Sequence, residues 1–239
     1  MNAHPDATQL RDDARIALAC LDLTSLNDAD DAASVQRLCQ RAQSRFGSVA
    51  AVCVWPRLAA LARAQLPAHI GVAAVANFPH GGSDVAAAVA DVRQIVQAGA
   101  QEVDLVLPYA ALMRGDDATA QTLLRAARQA CPDLRLKVIL ETGALFDPAL
   151  IARACRISIE AGADFLKTST GKTPINATPQ AAHVMLAAIA GHTARAIGFK
   201  ASGGIRSMAD AATYIELTRQ HLGAAALNPA RLRMGASSL

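Results

Sequence analysis

The chain has 239 residues, of which 52% are hydrophobic and only 3% aromatic, and its formal net charge is +3. This length suits one domain over residues 1–239, with a core built mainly from Ala, Val, Leu and Ile. The basic residues are scattered and do not alternate with aromatic ones, so we expect no nucleic-acid partner. No uninterrupted apolar segment reaches the roughly 18 residues of a membrane-spanning helix, so we expect no membrane partner.

The cysteine pattern and the N-terminal residues favour a cytoplasmic location. The five cysteines are odd in number and include no CxxC pair, which argues against a disulfide framework or a zinc site. The first residues carry Asp6, Asp12 and Asp13 and lack the apolar segment of a signal peptide. Both observations are typical of a protein from a reducing compartment.

Short apolar segments alternate with longer helical patterns along the chain. Such alternation predicts parallel strands joined by right-handed crossovers, and eight strands at this length predict an α/β fold, a (β/α)8 TIM barrel. We expect an extra helix before the first strand. The alternative is an open doubly wound sheet, although no GxGxxG sequence follows the first clear strand. The strand candidates are Leu21–Thr24, Val49–Trp55, Ile70–Asn77, Glu102–Leu107, Leu134–Glu141, Asp164–Thr170, Ala196–Ala201 and Arg231–Met234.

Several of the intervening helices have recognisable start signals. Asp147-Pro148 and Thr178-Pro179 each place an N-cap residue before a proline, which is favoured at the first helical position. Ser83-Asp84 and Ser207 with Asp210 mark the starts of two further helices.

Four consecutive strands each carry an ionisable side chain among apolar neighbours, and these are Asp104, Lys137, Lys167 and Lys200. Adjacent barrel strands bring such side chains to one pocket at the C-terminal mouth. One carboxylate beside three ammonium groups would be strained, so we expect the pKa of Lys167 to fall toward neutrality. A neutral amine forms Schiff bases with carbonyl compounds, which predicts a lysine-dependent aldolase. The alternative is a structural salt-bridge cluster.

Two glycine-containing loops near the end of the chain predict a phosphate site. Gly203-Gly204 follows the seventh strand and precedes a helix, and Gly235–Ser238 follows the eighth strand. Loops in these positions commonly hold phosphate in barrel enzymes, because backbone N–H groups and a helix N-terminus favour an anion. Gly171-Lys172 would close the site from the sixth loop. Taken alone, a pair of glycines is more often only a tight turn.

The sequence does not favour a metal site. None of the six histidines forms a short ligand pair, which weakens a zinc-dependent aldolase. His80 follows the third strand and either lines the pocket or shapes a turn. Cys53 lies in an apolar strand and is either a core residue or a thiol that lines the pocket.

Several of these segments together resemble deoxyribose-phosphate aldolase, a class I, Schiff-base aldolase family. The similarity extends over nearly the whole chain in the family's order, and the segment around Lys167 is the most specific. The matching segments are Leu21–Thr24, Val75–Gly81, Glu102–Asp104, Leu136–Gly143, Ala161–Lys172, Asn176–Pro179, Gly198–Gly204 and Gly235–Leu239.

The resemblance implies reversible cleavage of 2-deoxy-D-ribose 5-phosphate to D-glyceraldehyde 3-phosphate and acetaldehyde, with no metal or organic cofactor. It also implies that Lys167 forms the Schiff base and that Lys200 holds down the pKa of this lysine. Asp104 would move protons together with Lys200 and a water molecule.

The resemblance implies supporting roles for further residues. Lys137 would position Asp104, whereas Asp22 and Thr170 would contact substrate hydroxyls or order the pocket. The residues implied in phosphate binding are Gly171, Lys172, Gly203, Gly204, Ser237 and Ser238.

The chain departs from the family at its C-terminus, where family members continue with an apolar helix and a polar tail that ends in tyrosine. We therefore expect the final barrel helix to be missing and an apolar strip to be exposed beside the first and seventh helices. Such a strip would favour a homodimer. Two alternative functions are a class I aldolase with a different donor and a catalytically impaired barrel that binds phosphosugars.

Overall fold

The computed structural model describes residues 7–237, which form a closed barrel of parallel strands surrounded by helices. The expected extra helix, α1 (Ala7–Ala19), precedes the first barrel strand. The (β/α)8 prediction is therefore confirmed, and the open-sheet alternative is wrong because the first and last strands pair with each other. Ser238, one of the candidate phosphate ligands, lies outside the described residues.

Each barrel strand overlaps one of the eight predicted segments. A separate antiparallel pair, β2 (Gln43–Ser44) and β3 (Gly47–Ser48), is not predicted because its polar residues show no apolar alternation. The barrel strands are β1 (Leu21–Thr24), β4 (Ala51–Val54), β5 (Gly71–Ala76), β6 (Glu102–Val106), β7 (Arg135–Ile139), β8 (Phe165–Lys167), β9 (Gly198–Ser202) and β10 (Leu232–Ala236).

Four of the helices begin at the predicted start signals. Asp84, Asp147 and Thr178 each accept a hydrogen bond from a backbone N–H group of the first helical turn, and Ser207 forms a capping box with Asp210. The helices after β1 are α2 (Ala32–Arg41), α3 (Pro56–Gln65), α4 (Val85–Gln97), α5 (Tyr109–Met113), α6 (Asp117–Ala130), α7 (Thr142–Leu145), α8 (Pro148–Glu160), α9 (Pro179–Ala190) and α10 (Met208–Leu222).

Alternation along the strands separates an apolar layer from a charged interior. On β6, Val103 and Leu105 join the apolar core that packs against the helices. Glu102 and Asp104 alternate with them and contact charged side chains of other strands inside the barrel. The same sequence pattern thus builds the core and delivers ionisable groups to the barrel axis.

The expected apolar strip is absent from the part of the chain that the structure describes. Helix α1 packs beside α10, where Arg219 donates to Asp13 at 3.3 Å. Of the large apolar side chains that α1, α2 and α10 carry, only Leu10 is exposed among residues 7–237. The exposed apolar strip that would favour a homodimer is therefore not found among these residues. No helix within these residues has the length and apolar character needed to cross a membrane.

Candidate active site

Lys167 lies at the floor of a cavity of about 600 Å³ at the C-terminal mouth of the barrel. Its side chain is almost buried, with 4% of its surface exposed. Lys137 and Lys200 are fully buried and do not line this cavity. The strand register explains why Lys167 lies closer to the mouth than Lys137, because Lys137 pairs with Phe165, two residues earlier on β8. Two strand residues place Lys167 about 6–7 Å further along β8 toward the mouth.

Asp104 connects the three lysines. Its Oδ2 atom accepts hydrogen bonds from the Nζ atoms of Lys167, at 2.8 Å, and Lys200, at 2.7 Å. Its Oδ1 atom accepts from Nζ of Lys137 at 2.8 Å. The four ionisable residues predicted on consecutive strands therefore form one cluster.

The cluster contains more charges than the sequence analysis expected. Nζ of Lys200 donates to Asp22 Oδ2 at 2.5 Å, and Arg233 donates to Asp22 Oδ1 at 2.5 Å. Arg233 also donates to Glu102 Oε1 at 2.8 Å, and Lys137 forms a salt bridge with Glu102. The expectation of one carboxylate among three ammonium groups is wrong. Three buried carboxylates face four buried cations in this cluster.

Burial and the surrounding charges give the three lysines different proton affinities. Burial lowers the pKa of Lys167, the carboxylate of Asp104 opposes this effect, and the charge of Lys200 adds to it. Burial also acts on Lys200, but Asp104 and Asp22 outweigh it and raise the pKa of that lysine. The pKa of Lys137 is raised for the same reason by Asp104, Asp22 and Glu102. Loss of the Lys167 proton leaves three buried cations opposite the three buried carboxylates and yields a nucleophilic amine.

The remaining candidates near the lysines divide into buried and cavity-lining residues. Asp22 is fully buried and does not line the cavity. Cys53 is also buried, with Sγ 3.9 Å from Asp104 Oδ2, and burial raises the pKa of its thiol to about 11. Thr170 lines the cavity and donates to Glu141 Oε2 at 2.5 Å. His80 is exposed and does not line this cavity.

The predicted phosphate residues within the described chain line the outer part of the same cavity. Gly203 and Gly204 have φ angles of +81° and +84°, a backbone conformation that favours glycine. A Cβ atom on Gly203 would lie 2.5 Å from Asn176 Oδ1, so the turn also requires glycine for space. The residues from the predicted set that line the cavity are Gly171, Lys172, Gly203, Gly204 and Ser237.

Sequence reasoning missed several residues of the site. Glu102 precedes Asp104 by two positions and Arg233 precedes Gly235 by two, so strand alternation could have identified both as inward-facing. Glu141 lies four positions after Lys137 in the predicted strand, so the same alternation could have identified it as well. Helix α2 contributes Arg37 and Arg41 to the cavity wall. Within residues 7–237, no three His, Cys, Asp or Glu side chains are grouped so as to hold a metal ion.

Comparison with known proteins assigns the family. The model of the DeoC/LacD family aldolases matches residues 16–239. The chain belongs to this aldolase family. A putative deoxyribose-phosphate aldolase from Coccidioides immitis is 31% identical, with a TM-score of 0.81 over 93% of this chain and 82% of that one.

Two further solved structures resemble this aldolase. The aldolase QR15 is 28% identical, with a TM-score of 0.79 over 92% of this chain and 91% of that one. The tetrameric deoxyribose phosphate aldolase from Aeropyrum pernix is 22% identical and shares the fold, with a TM-score of 0.73 over 98% of this chain and 94% of that one.

Proposed function

We propose that this aldolase reversibly cleaves 2-deoxy-D-ribose 5-phosphate to D-glyceraldehyde 3-phosphate and acetaldehyde through a Schiff base on Lys167. One observation carries the proposal. Of the three buried strand lysines, Lys167 is the one that lines the cavity and whose pKa is lowered. An amine in this position can meet the aldehyde carbon of the open-chain sugar in its nucleophilic, neutral form.

The chemistry of the amine explains how the bond breaks without a free carbanion. Nζ of Lys167 adds to the aldehyde carbon C1, and the resulting carbinolamine loses water to give an iminium. The 3-hydroxyl then loses its proton and the C2–C3 electron pair moves toward the iminium, which releases D-glyceraldehyde 3-phosphate and leaves an enamine. Protonation of the enamine carbon and hydrolysis release acetaldehyde and regenerate the lysine.

The buried cluster supports proton transfer in these steps. One oxygen of Asp104 accepts from both Lys167 and Lys200, so a proton can pass between the reacting amine and its neighbours through short contacts. The carboxylate also stabilises the positive charge of the iminium. Lys137 fixes the other oxygen of Asp104, and Asp22 fixes Lys200.

The outer loops support recognition of a phosphate. Gly203 and Gly204 bend the backbone beside the start of α10, and Lys172 and Ser237 lie on the same cavity. Binding energy at the phosphate orients the distant aldehyde carbon against Lys167. The resemblance adds Ser238 to this set.

The proposal is tested by following D-glyceraldehyde 3-phosphate formation from 2-deoxy-D-ribose 5-phosphate with a coupled assay. We expect turnover by the unaltered chain and none by Lys167→Leu. Circular dichroism and thermal unfolding of both proteins verify that the variant is folded. Ligand-induced stabilisation without turnover by the unaltered chain would instead support the phosphosugar-binding alternative.

The donor is tested separately, because the family to which the chain belongs is broader than one substrate. Acetaldehyde and dihydroxyacetone are compared as donors in the synthetic direction with D-glyceraldehyde 3-phosphate as acceptor. We expect product with acetaldehyde. Preferential use of dihydroxyacetone would support the alternative of a class I aldolase with a different donor.

A further inference from the structure

The cavity has a cationic outer wall, of which the proposed function uses only Lys172. Arg37 and Arg41 lie four residues apart on α2, therefore on the same face, and both line the cavity. Lys172 and Arg206 line it from the loops that follow β8 and β9. Asp30 is the one carboxylate among the described lining residues, and it accepts hydrogen bonds from Ser25 Oγ at 2.7 Å and the Asn27 backbone N–H at 2.9 Å.

Arg41 differs from the other three cations in its surroundings. Nζ of Lys172 donates to the Leu26 carbonyl at 2.7 Å. Arg37 interacts electrostatically with Asp31, and Arg206 interacts in the same way with Asp210. Among residues 7–237, the partner of the Arg41 guanidinium is a neutral group, the Ser237 carbonyl.

This contact places the guanidinium at the loop that follows β10. Nη2 of Arg41 donates to the Ser237 carbonyl at 3.0 Å. A carbonyl fixes the position of a guanidinium but leaves its charge uncompensated, and a guanidinium has five N–H donors. Arg41 therefore brings a positioned, charged donor group to the part of the cavity where a phosphate is expected.

We propose that Arg41 is a phosphate ligand and the residue that selects phosphomonoesters over uncharged sugars. The phosphate dianion binds between the Gly203-Gly204 turn and the Arg41 guanidinium, whose planar geometry suits two phosphate oxygens. Arg37, one helical turn earlier, adds a weaker attraction because Asp31 lies beside it. The location of the substrate phosphate rests on the proposed function.

Kinetics with phosphorylated and unphosphorylated sugars test this assignment. Arg41→Gln removes the charge and leaves a neutral, polar amide at the same position on α2. We expect its KM for 2-deoxy-D-ribose 5-phosphate to rise about tenfold, with kcat and the kinetics of unphosphorylated 2-deoxyribose unchanged. Arg41→Lys retains the charge without the planar guanidinium, and we expect its KM for the phosphosugar to lie between those of the unaltered chain and Arg41→Gln. Arg45→Gln is the matched control, because Arg45 stacks on Phe46 outside the cavity.

A direct measurement of phosphate binding tests the role of Arg41 independently of the proposed function. Titration calorimetry with inorganic phosphate requires no turnover, and we expect about tenfold weaker binding by Arg41→Gln and no change for Arg45→Gln. If phosphate binding depends on Arg41 but the chain does not cleave the phosphosugar, only the proposed function would be overturned. Unchanged phosphate binding by Arg41→Gln, or an equal loss with both sugars, would overturn the role of Arg41.

Discussion

The inner and outer ends of the cavity are built in opposite ways. At the inner end, Asp104 is surrounded by buried lysines, and its hydrogen bonds to their Nζ atoms measure 2.7–2.8 Å. At the outer end, Gly204, Lys172 and Ser237 are exposed. The side chains of Lys172 and Arg41 donate there to backbone carbonyls and not to carboxylates.

This difference follows from what each end has to do. Burial is needed to lower the pKa of a lysine, and buried charges are stable only when each has a partner. A phosphate needs positive potential and accessible N–H groups, both of which remain available at an exposed loop. Changes at the inner end should therefore affect rate, folding stability and pKa, whereas changes at the outer end should affect affinity.

The largest effect is expected from Asp104→Asn. This change keeps the shape of the side chain but removes the carboxylate shared by the three lysines. We expect kcat to fall about 10²–10⁴-fold, the usual range for loss of a proton-transfer group. The coupled assay measures the loss, and Asp133→Asn, at an exposed position, is the control. A rate within a few-fold of the original would contradict the role of Asp104.

Arg233→Met tests whether the cluster also stabilises the fold. The change removes one buried cation from Asp22 and Glu102, which keep their contacts with Lys200 and Lys137. An unpaired buried charge costs about 3–5 kcal/mol of unfolding free energy, so we expect a loss near the lower end of that range. Urea denaturation measures the difference. Arg15→Met is the control, because 79% of the Arg15 side chain is exposed. If the unfolding free energy falls no more than in the control, the remaining charges rearrange without destabilising the fold.

Lys200→Leu tests the electrostatic coupling between the two lysines at the inner end. The positive charge of Lys200 lowers the pKa of Lys167, so its removal raises that pKa. Since the protonated amine is inert, the rise of Schiff-base formation with pH should move to higher pH. The rate of borohydride trapping with acetaldehyde reports this profile without requiring turnover. An unchanged or lower midpoint would contradict the coupling.

The smallest effects are expected at the outer end, where two adjacent glycines form a matched pair. Alanine at Gly203 or Gly204 is strained by the positive φ angle, but a Cβ atom only at Gly203 meets Asn176, at 2.5 Å. Gly203→Ala should therefore raise the KM for the phosphosugar more than Gly204→Ala does. Trapping with acetaldehyde, which has no phosphate, should be unaffected in both. Equal KM values would mean that Asn176 moves aside.

Much of the fold could be predicted because strand alternation and helix caps are local signals. The strands around Asp104, Lys137 and Lys200 follow from charged residues placed between apolar ones. The antiparallel pair of β2 and β3 contains no such pattern. Chain order also indicates that residues on consecutive strands are neighbours, and Asp104 lies opposite Lys137 in the ladder, as Lys167 lies opposite Lys200.

The details of the site depend on geometry that a sequence does not contain. The pairing of Lys137 with Phe165 places Lys167 closer to the mouth than Lys137, and this register is set only when the barrel closes. Glu102 and Arg233 meet from strands that are distant in sequence. Arg41 enters the cavity wall because of how α2 is rotated against the barrel.

Borohydride trapping with acetaldehyde, followed by peptide mass spectrometry, tests the central claim most directly. Reduction of the Schiff base converts the reacting lysine to a stable ethyl-lysine. The account predicts that this modification is found at Lys167, that Lys137 and Lys200 remain unmodified, and that activity is lost in proportion to labelling. An unmodified Lys167 in a chain that turns over its substrate, or labelling at another lysine, would contradict it.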